Sequence, residues 1–390
     1  MTPPATITSQ GHGTETSVEI REVSGKDDMR AFLSLPWGIY GSEGPWVPPL
    51  LSDIEELVNP EKGHPFHEHA EVALFLAFQH GDPVGRIAAI RNDAHLDLYH
   101  DGVGFFGFFE SIDDDAVACA LFDSAADWLR GQGLTTMRGP MSPSINDQVG
   151  LLLDDFEGRP VIEMPYNPPY YPQLLEACDV RLVRRLYAYL VRGHEHAPTE
   201  KQVRLAEAVK RRYGVEIRTA RVKDAEKEAA ILERIYREAW SELWGAVPFT
   251  PNEALYLTKK LASLADERVV LIANIHGQPA GFALAVPDWN YVLAHLNGRL
   301  TPFNALKALW YKRKMKGLRL MALGVVAEHR RKGIEALMTL ELFRRALAAG
   351  YESLEVSWVL EDNVLANNLL AKLGFPRYRT YGLYERPLDA

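Results

Sequence analysis

The chain has 390 residues, 47% of them hydrophobic and 24% charged, with a formal net charge of −9. That length exceeds what one hydrophobic core usually organises, so two domains are expected. The acidic balance excludes a general nucleic-acid binder, which needs Lys and Arg spread over a whole face, but leaves room for a local basic site for a small anion. Cys119 and Cys178 are the only cysteines and have no paired spacing, which argues against a disulfide framework or a thiolate zinc site. The start, MTPPATITSQGHGTETS, has neither a basic n-region nor an apolar h-region, and no apolar run is long enough to span a bilayer. The expectation is a cytoplasmic protein, without a membrane span, whose residues 1–16 form a disordered tail.

In chain order, VEIREV alternates as a first strand from Val18, and a helix follows from about Asp28 to Tyr40. GSEGPWVPPLL is a loop shaped by glycine and proline. EVALFLAFQHG and PVGRIAAIRN form a hairpin around His80-Gly81-Asp82. VGFFGFFES is a strand buried on both faces, and DAVACALFDSAADWLRGQG is a helix with Asp113 to Asp115 at its positive end. LTTMRGP is a strand, PPYYPQLLEACDV a short helix, and RLVRRLYAYLV a closing strand. The polar stretch 194–212 is a connector, helical in its second half.

The order then starts again. VEIRTARV precedes two helices, AEKEAAILERIYREAW and PNEALYLTKKLASLA. The hairpin VVLIANIHG and PAGFALAVPD leads to the strand LRLMALGVV, the helix GIEALMTLELFRRALAAG, the strand SLEVSWVL, the helix VLANNLLAKLG and the strand RYRTYGLYERPL. A duplicated α/β (α+β) fold follows, each copy a mixed, mostly antiparallel sheet flanked by helices, over residues 17–193 and 213–390 with a linker helix over 194–212.

A dense basic cluster, Arg330-Arg331-Lys332, sits on the short turn between a strand and a helix. Helix-start N–H groups have no partner within the helix and carry partial positive charge, so they bind phosphate oxygens. Cations are repelled at that end, so three of them imply a compensating anion. Gly333 lets the anion approach the backbone. Gly324, inside the strand, marks a bulge or a place where another group comes close.

This turn, with Val326, Arg330 and Gly333 matching V-x-x-x-[Q/R]-x-x-G-x-[G/A], resembles the acetyl-CoA loop of the GNAT N-acetyltransferases; Glu335 stands where that family has Gly or Ala. EDNVLANNLLAKLGF is similar to a second segment of the family, with Asn363, Ala366, Lys372, Gly374 and Phe375 matching. The resemblance covers residues 213–390, and the first half resembles the fold in element order only. It implies two tandem GNAT-like domains, the first without a coenzyme A loop. Acetyl-CoA, or another acyl-CoA, is then held by Leu323, Gly324, Val325, Val326, Arg330, Arg331, Lys332, Gly333, Ile334, Glu335, Ala336 and Asn363, with no metal. A bulge-exposed N–H near Gly324 or Val325 would polarise the thioester carbonyl. The implied reaction is acetyl transfer to a small-molecule amine or peptide. Alternatives are a non-catalytic acyl-CoA sensor and a longer-chain acyltransferase. Oligomeric state stays open between monomer and homodimer.

The proton donor is less plain, because Leu370 occupies the position where the family has a tyrosine. Tyr381 and Tyr384 are the candidates, with Tyr378 and Tyr384 on one side of the last strand and Tyr381 on the other if the alternation is regular. Glu361 and Asp288 are candidate carboxylates, each equally suited to capping a loop or helix. In the first half IDDDAV replaces the basic turn, and its aspartates satisfy the helix start themselves. RGPMSPSINDQVGLL and HPFHEHAE are candidate walls of a cleft between the halves, whereas His64, His67 and His69 lack metal-ligand spacing. The insertion from Pro287 to Lys316 reads as a lid, a packing segment or a substrate wall, with Lys312 to Lys314 in reach of an adenosine phosphate.

Overall fold

Period-two alternation and tight turns organise the first half of the chain; a computed structural model describes residues 17–41, 43–193, 195–221, 224–240 and 243–388 of the whole. The expected tail, 1–16, lies outside the described residues. The first half runs β1 (Glu19–Glu22), α1 (Gly25–Tyr40), α2 (Leu51–Val58), β2 (Ala70–Gln79), β3 (Asp82–Asn92), α3 (Asp93–Tyr99), β4 (Val103–Ser111) and α4 (Asp115–Gly131). It continues through β5 (Thr136–Gly139), the short β6 (Met141–Ser142), β7 (Gln148–Val149) and β8 (Leu151–Leu152), then α5 (Tyr171–Ala177) and β9 (Arg181–Arg192). The connector is α6 (Glu200–Tyr213), started by Thr199 and Gln202 in a reciprocal capping box and stopped by the left-handed Gly214.

The second half runs β10 (Val215–Thr219), α7 (Ala225–Trp240), α8 (Pro251–Leu264), β11 (Val270–Ile275), β12 (Gln278–Pro287), α9 (Asn290–Leu293) and α10 (Pro302–Lys312). It closes with β13 (Gly317–Val325), α11 (Ile334–Ala348), β14 (Ser353–Leu360), α12 (Val364–Leu373) and β15 (Arg377–Pro387). The insertion therefore contains two helices.

The two halves do not keep separate sheets. One continuous sheet runs β1-β2-β3-β4-β5-β15-β9-β14-β13-β12-β11-β10, with β8 added on β15. The closing strands are exchanged: β9 of the first half pairs antiparallel with β14, and β15 of the second half lies between β5 and β9. The first half's core is accordingly completed by the end of the chain. Tyr384 and Leu388 pack under α4 with Leu121, Phe122 and Leu175, while Tyr381 and Leu383 pack on the opposite face with Leu186 and Leu360.

The cysteines correct the reading from spacing. Cys119 on α4 and Cys178 just after α5 are joined by a disulfide, S–S 2.08 Å and Cα–Cα 5.0 Å. Their separation of 59 residues hides the pairing from sequence, and the packing of α5 against α4 makes it. No helix among the described residues is long and apolar enough to cross a membrane.

Truncating the chain after Gly374 removes β15 and exposes both β5 and β9 as edges inside the sheet. Such a variant is expected to lose cooperative unfolding in both halves, read by thermal denaturation followed in near-UV circular dichroism. A single sharp transition near the wild-type Tm would contradict this account of the exchanged strand.

Candidate active site

β13 and β14 run parallel only over Gly317–Leu320 and Ser353–Val356, and beyond that point they diverge. Register on the β12 side slips between Leu284 and Ala285, leaving Met321 unpaired as the extra residue of β13. The bulge is therefore at Met321, not at Gly324 or Val325 as expected from the glycine. Leu323, Gly324 and Val325 pair regularly with Ala283, Phe282 and Gly281. Gly324 is needed for a different close approach: a Cβ there would lie 2.2 Å from the indole of Trp240 at the end of α7. Trp240 stacks on Tyr236 and leans on Phe282.

Past Val326 the chain makes a 3-10 turn over Ala327–His329 and curls through two left-handed residues, Arg331 at φ 60° and Gly333 at φ 80°. Gly333 is the N-cap of α11 and provides no side-chain acceptor, so the N–H groups of Ile334, Glu335 and Ala336 open the helix without a side-chain cap. Arg331 is exposed, and Lys332 approaches His329 at 3.1 Å. Arg330 has another role from the one expected. Its guanidinium donates to the carbonyls of Glu238 (3.2 Å), Ala239 and Val325 (3.4 Å), tying the C-terminus of α7 to the loop. Burial raises the pKa of Glu335, partly offset by Arg330. Asn363 caps α12, accepting from the Ala366 N–H at 3.2 Å, and lines the cavity described next.

The divergence of β13 and β14 opens into a cavity of about 350 Å³. Its walls at the opening are Leu320 to Leu323, Val356 to Leu360 and, from α12, Ala366, Leu369 and Leu370. Leu370, in place of a tyrosine, is thus part of an apolar wall. Deeper in, Trp240, Phe249, Leu284 and Val286 meet Leu57, Phe66, Ile145 and Ile162 of the first half. A second cavity of about 320 Å³ adjoins it, sharing Leu57, Ile162, Glu163, Lys260, Leu264 and Trp289 as common wall.

Polar groups enter the first cavity from the stretch before β7. Asp147 accepts from the Ser144 hydroxyl at 2.6 Å and lines the cavity half-buried, where desolvation pushes its carboxyl up to about 7. Asn146 accepts from the Tyr236 hydroxyl at 2.6 Å and donates to the Val247 carbonyl, so the two halves grip each other beside Asp147. His64 and Glu253 also line the cavity. His64 uses its Nδ1 to cap the turn at Phe66, and His69 lies 3.1 Å from Glu253, which raises the His69 pKa. Asp147 is a cavity residue that sequence reasoning did not single out; the signal was the polar, Pro-kinked stretch carrying it.

The other sequence-predicted residues are elsewhere. Glu361 accepts from the Arg185 N–H at 3.0 Å and faces its guanidinium at 3.8 Å, joining β14 to β9 outside the cavity walls. Tyr384 is buried in the core under α4, a correction to its candidacy as proton donor. Tyr381 is buried on the opposite side, in a charged cluster with Glu355 and Arg379, and burial, with the proximity of Glu355, holds its hydroxyl well above the ordinary pKa. Tyr378 donates to the same Glu355. Tyr378 does not share a face with Tyr384 as expected, because the slip between Arg377 and Arg379 leaves Tyr378 as an extra residue of β15 on the side of Tyr381. Arg319 links this cluster to the cavity, donating to Ser357 Oγ at 3.0 Å and to the Ile162 carbonyl at 2.8 Å. Asp288, lifted to about 6 by burial, accepts from the N–H groups of Ile162 and Asn290 and holds the halves together.

In the first half the corresponding opening is closed by its own chain. β4 and β5 pair over Val103–Phe105 and Thr136–Arg138, then Ser142 accepts from the Phe108 N–H at 2.9 Å. A Cβ at Gly107 would lie 1.8 Å from the Met141 carbonyl oxygen, so no ligand edge fits there. Asp114 caps α4 through the N–H groups of Ala116 and Val117.

The model of the acetyltransferase (GNAT) family matches residues 229–375. Protein YghO of Escherichia coli (strain K12) is 32% identical over 95% of both chains. A bacterial ceramide synthase of Caulobacter vibrioides is 32% identical over 96% of this chain and 99% of its own. Among solved structures, a tandem GNAT protein from the clavulanic acid biosynthesis pathway superposes with a TM-score of 0.57 at 14% identity, over 96% of this chain and 99% of that one. With its diverging central strands, uncapped glycine-led helix and duplicated order, the chain belongs to the GNAT acyltransferase superfamily in its tandem form.

Proposed function

We propose that the protein transfers a long acyl chain from an acyl-CoA to the primary amine of a lipid-like acceptor, forming an amide. The observation that carries this reading is the cavity of about 350 Å³ beyond the β13–β14 opening, walled by leucine, isoleucine and aromatic side chains from both halves. An acetyl group would occupy only its mouth, and burying a hydrocarbon there is favourable in proportion to the area removed from water. The adjoining cavity of about 320 Å³ offers a second apolar compartment for an acceptor with a chain of its own. A relative named for ceramide synthesis agrees with this choice, since a ceramide is the amide of a fatty acid and a long-chain amino alcohol.

An acyl-CoA fits the residues present. The N–H groups at the start of α11, curled by Arg331 and Gly333, suit a diphosphate, with Arg331 and Lys332 adding charge. The open edge of β13 past Leu320 offers amide donors to a pantetheine arm and to the thioester oxygen. Asp147 takes the proton from the attacking amine, directly or through one water. The amine nitrogen bonds to the acyl carbon, the carbon–sulfur bond breaks, and the sulfur leaves with its electron pair. A thiol has a pKa of about 8.5, so the thiolate departs near neutrality and is reprotonated by solvent, without a tyrosine at Leu370.

The reading is tested by release of free thiol from acetyl-, butyryl- and palmitoyl-CoA in the presence of a long-chain amino alcohol. Release is expected to be fastest with palmitoyl-CoA; an acetyl-CoA preference would overturn the chain-length assignment, and binding without release would identify a sensor. Asp147 must be ionised to act, so the rate rises with pH through about 7 and then levels. Asp147→Asn is expected to lower kcat by roughly a hundredfold and to remove that inflection.

The same variant has an opposite signature in stability. Because the folded-state pKa of Asp147 is raised, the stability it contributes is present below the ordinary carboxylate range and is lost as pH rises through about 7. Asp147→Asn should therefore match wild-type Tm near acid pH and exceed it in mild base. Gly333→Asp places a negative charge against the helix start, in a left-handed conformation that aspartate tolerates better than most residues. Coenzyme A affinity, measured by titration calorimetry, is expected to fall at least tenfold with little change in Tm. Unchanged affinity would remove the loop from the site.

A further inference from the structure

Helix α10 carries its apolar residues outward. Phe303, Leu306, Leu309 and Trp310 are 76%, 69%, 61% and 54% exposed, and Leu300 just before the helix is 60% exposed. Their spacing, i, i+3, i+6 and i+7, gathers them on one stripe of the helix. The opposite side is the one tied down: Asn304 donates to the carbonyls of Leu296 and Arg299, Lys307 donates to the His295 carbonyl at 2.7 Å, and Tyr311 stacks on His295 at 3.7 Å. The helix is thus held rigidly with its greasy face toward solvent, an arrangement that costs free energy unless something covers it.

Charge says what that is. Between Trp289 and Gly317 the chain has Arg299, Lys307, Lys312, Arg313, Lys314 and Lys316 and no Asp or Glu, in a protein whose net charge is −9. Lys312, Arg313 and Lys314 are exposed at the end of the helix, and the Lys314 ammonium lies 3.4 Å from the centroid of the Trp310 ring. An apolar stripe edged by cations, with a tryptophan at the border, is the pattern of a helix lying in a lipid interface. A protein partner is a poorer match, because a protein surface of sufficient negative charge would have to be apolar over the same stripe.

We propose that α10 is a membrane-docking helix: its Phe303–Leu306–Leu309–Trp310 face enters the acyl boundary of an anionic bilayer while Lys312, Arg313 and Lys314 meet the headgroups. The docked face adjoins the second cavity, of which Leu300 and Ala308 are wall residues, so a lipid acceptor would pass from the bilayer into that cavity without crossing water. The docking rests on exposure and charge alone; only the delivery of an acceptor rests on the acyltransferase reading.

The experiment is co-sedimentation of the full chain with vesicles of phosphatidylcholine alone and of phosphatidylcholine with phosphatidylglycerol in a seven-to-three ratio. Wild type is expected to partition onto the anionic vesicles, less so as salt rises. The triple variant Phe303→Ser/Leu306→Ser/Trp310→Ser should partition at least tenfold less, and Lys312→Glu/Lys314→Glu should lose the preference for anionic vesicles. Each variant changes exposed side chains, so an unchanged Tm confirms that folding is intact. Failure of wild type to bind the anionic vesicles, or equal binding by the triple variant, overturns the proposal. So does a wild-type dimer that the triple variant converts to monomer without vesicles, which would make a second copy the cover. Thiol release from palmitoyl-CoA with a detergent-solubilised long-chain amino alcohol is read in parallel: its absence with vesicle binding retained would refute the transferase and leave the docking helix standing.

Discussion

Everything at the centre of the molecule depends on β15 lying between β5 and β9. Its backbone hydrogen bonds satisfy the inner edges of both halves at once, and its side chains complete a core on each face: Tyr384 under α4, Tyr381 and Leu383 on the other side. Because the strand that closes the first half belongs to the second, neither half has a finished sheet alone. The exchange also fixes the relative position of the halves, which is what a cavity walled by both requires.

The cavity is held by a few polar links that cross the same boundary. Asn146 bonds to Tyr236 and Val247, Asp288 to Ile162, and Arg319 to the Ile162 carbonyl. Each satisfies a buried group that would otherwise destabilise the interface by about 1–3 kcal/mol. Arg330 acts in the same way on the other side of the opening: by binding carbonyls of α7 it holds Trp240 over Gly324, so the loop and the cavity wall are one mechanical unit.

The order of elements was legible in the sequence because each element carries a local signature, and the basic turn stood out as a candidate anion site because three cations at a helix start contradict the dipole. What escaped was non-local. Exchange of β9 and β15 leaves no trace in either strand, because the local pattern of a strand does not specify which neighbour it pairs with. The pairing of Cys119 with Cys178 depends on two helices meeting. Gly324 announced a close approach correctly, yet only the fold reveals that Trp240 makes it, and the bulge itself falls at Met321, where no glycine marks it. Tyr384 was misjudged because the face of β15 that carries it closes the core under α4, and Tyr378 because the register slip at its position turns it to the side of Tyr381. Asp147 was visible only as part of an odd polar stretch, since its importance arises from burial beside Ser144.

The duplication explains why the cavities come in a pair. A GNAT-like sheet has an opening where its central strands part, and two copies have two such openings facing a common boundary. In the second half the opening stays free and leads past Leu320 into the first cavity. In the first half Ser142 and Met141 fold back across β4 and seal it against an extended ligand, while Asp114 occupies the helix start that a diphosphate would need. Sealing the edge leaves the space behind it, and Phe106, Phe108 and Phe109 of β4 now wall the second cavity. On the proposed reading, the apolar volume of the first half lies next to the acyl-CoA opening of the second and beside a helix whose exposed face suits lipid. That arrangement favours an acceptor with a hydrocarbon chain over a small polar amine, because a polar acceptor would have no use for the second compartment.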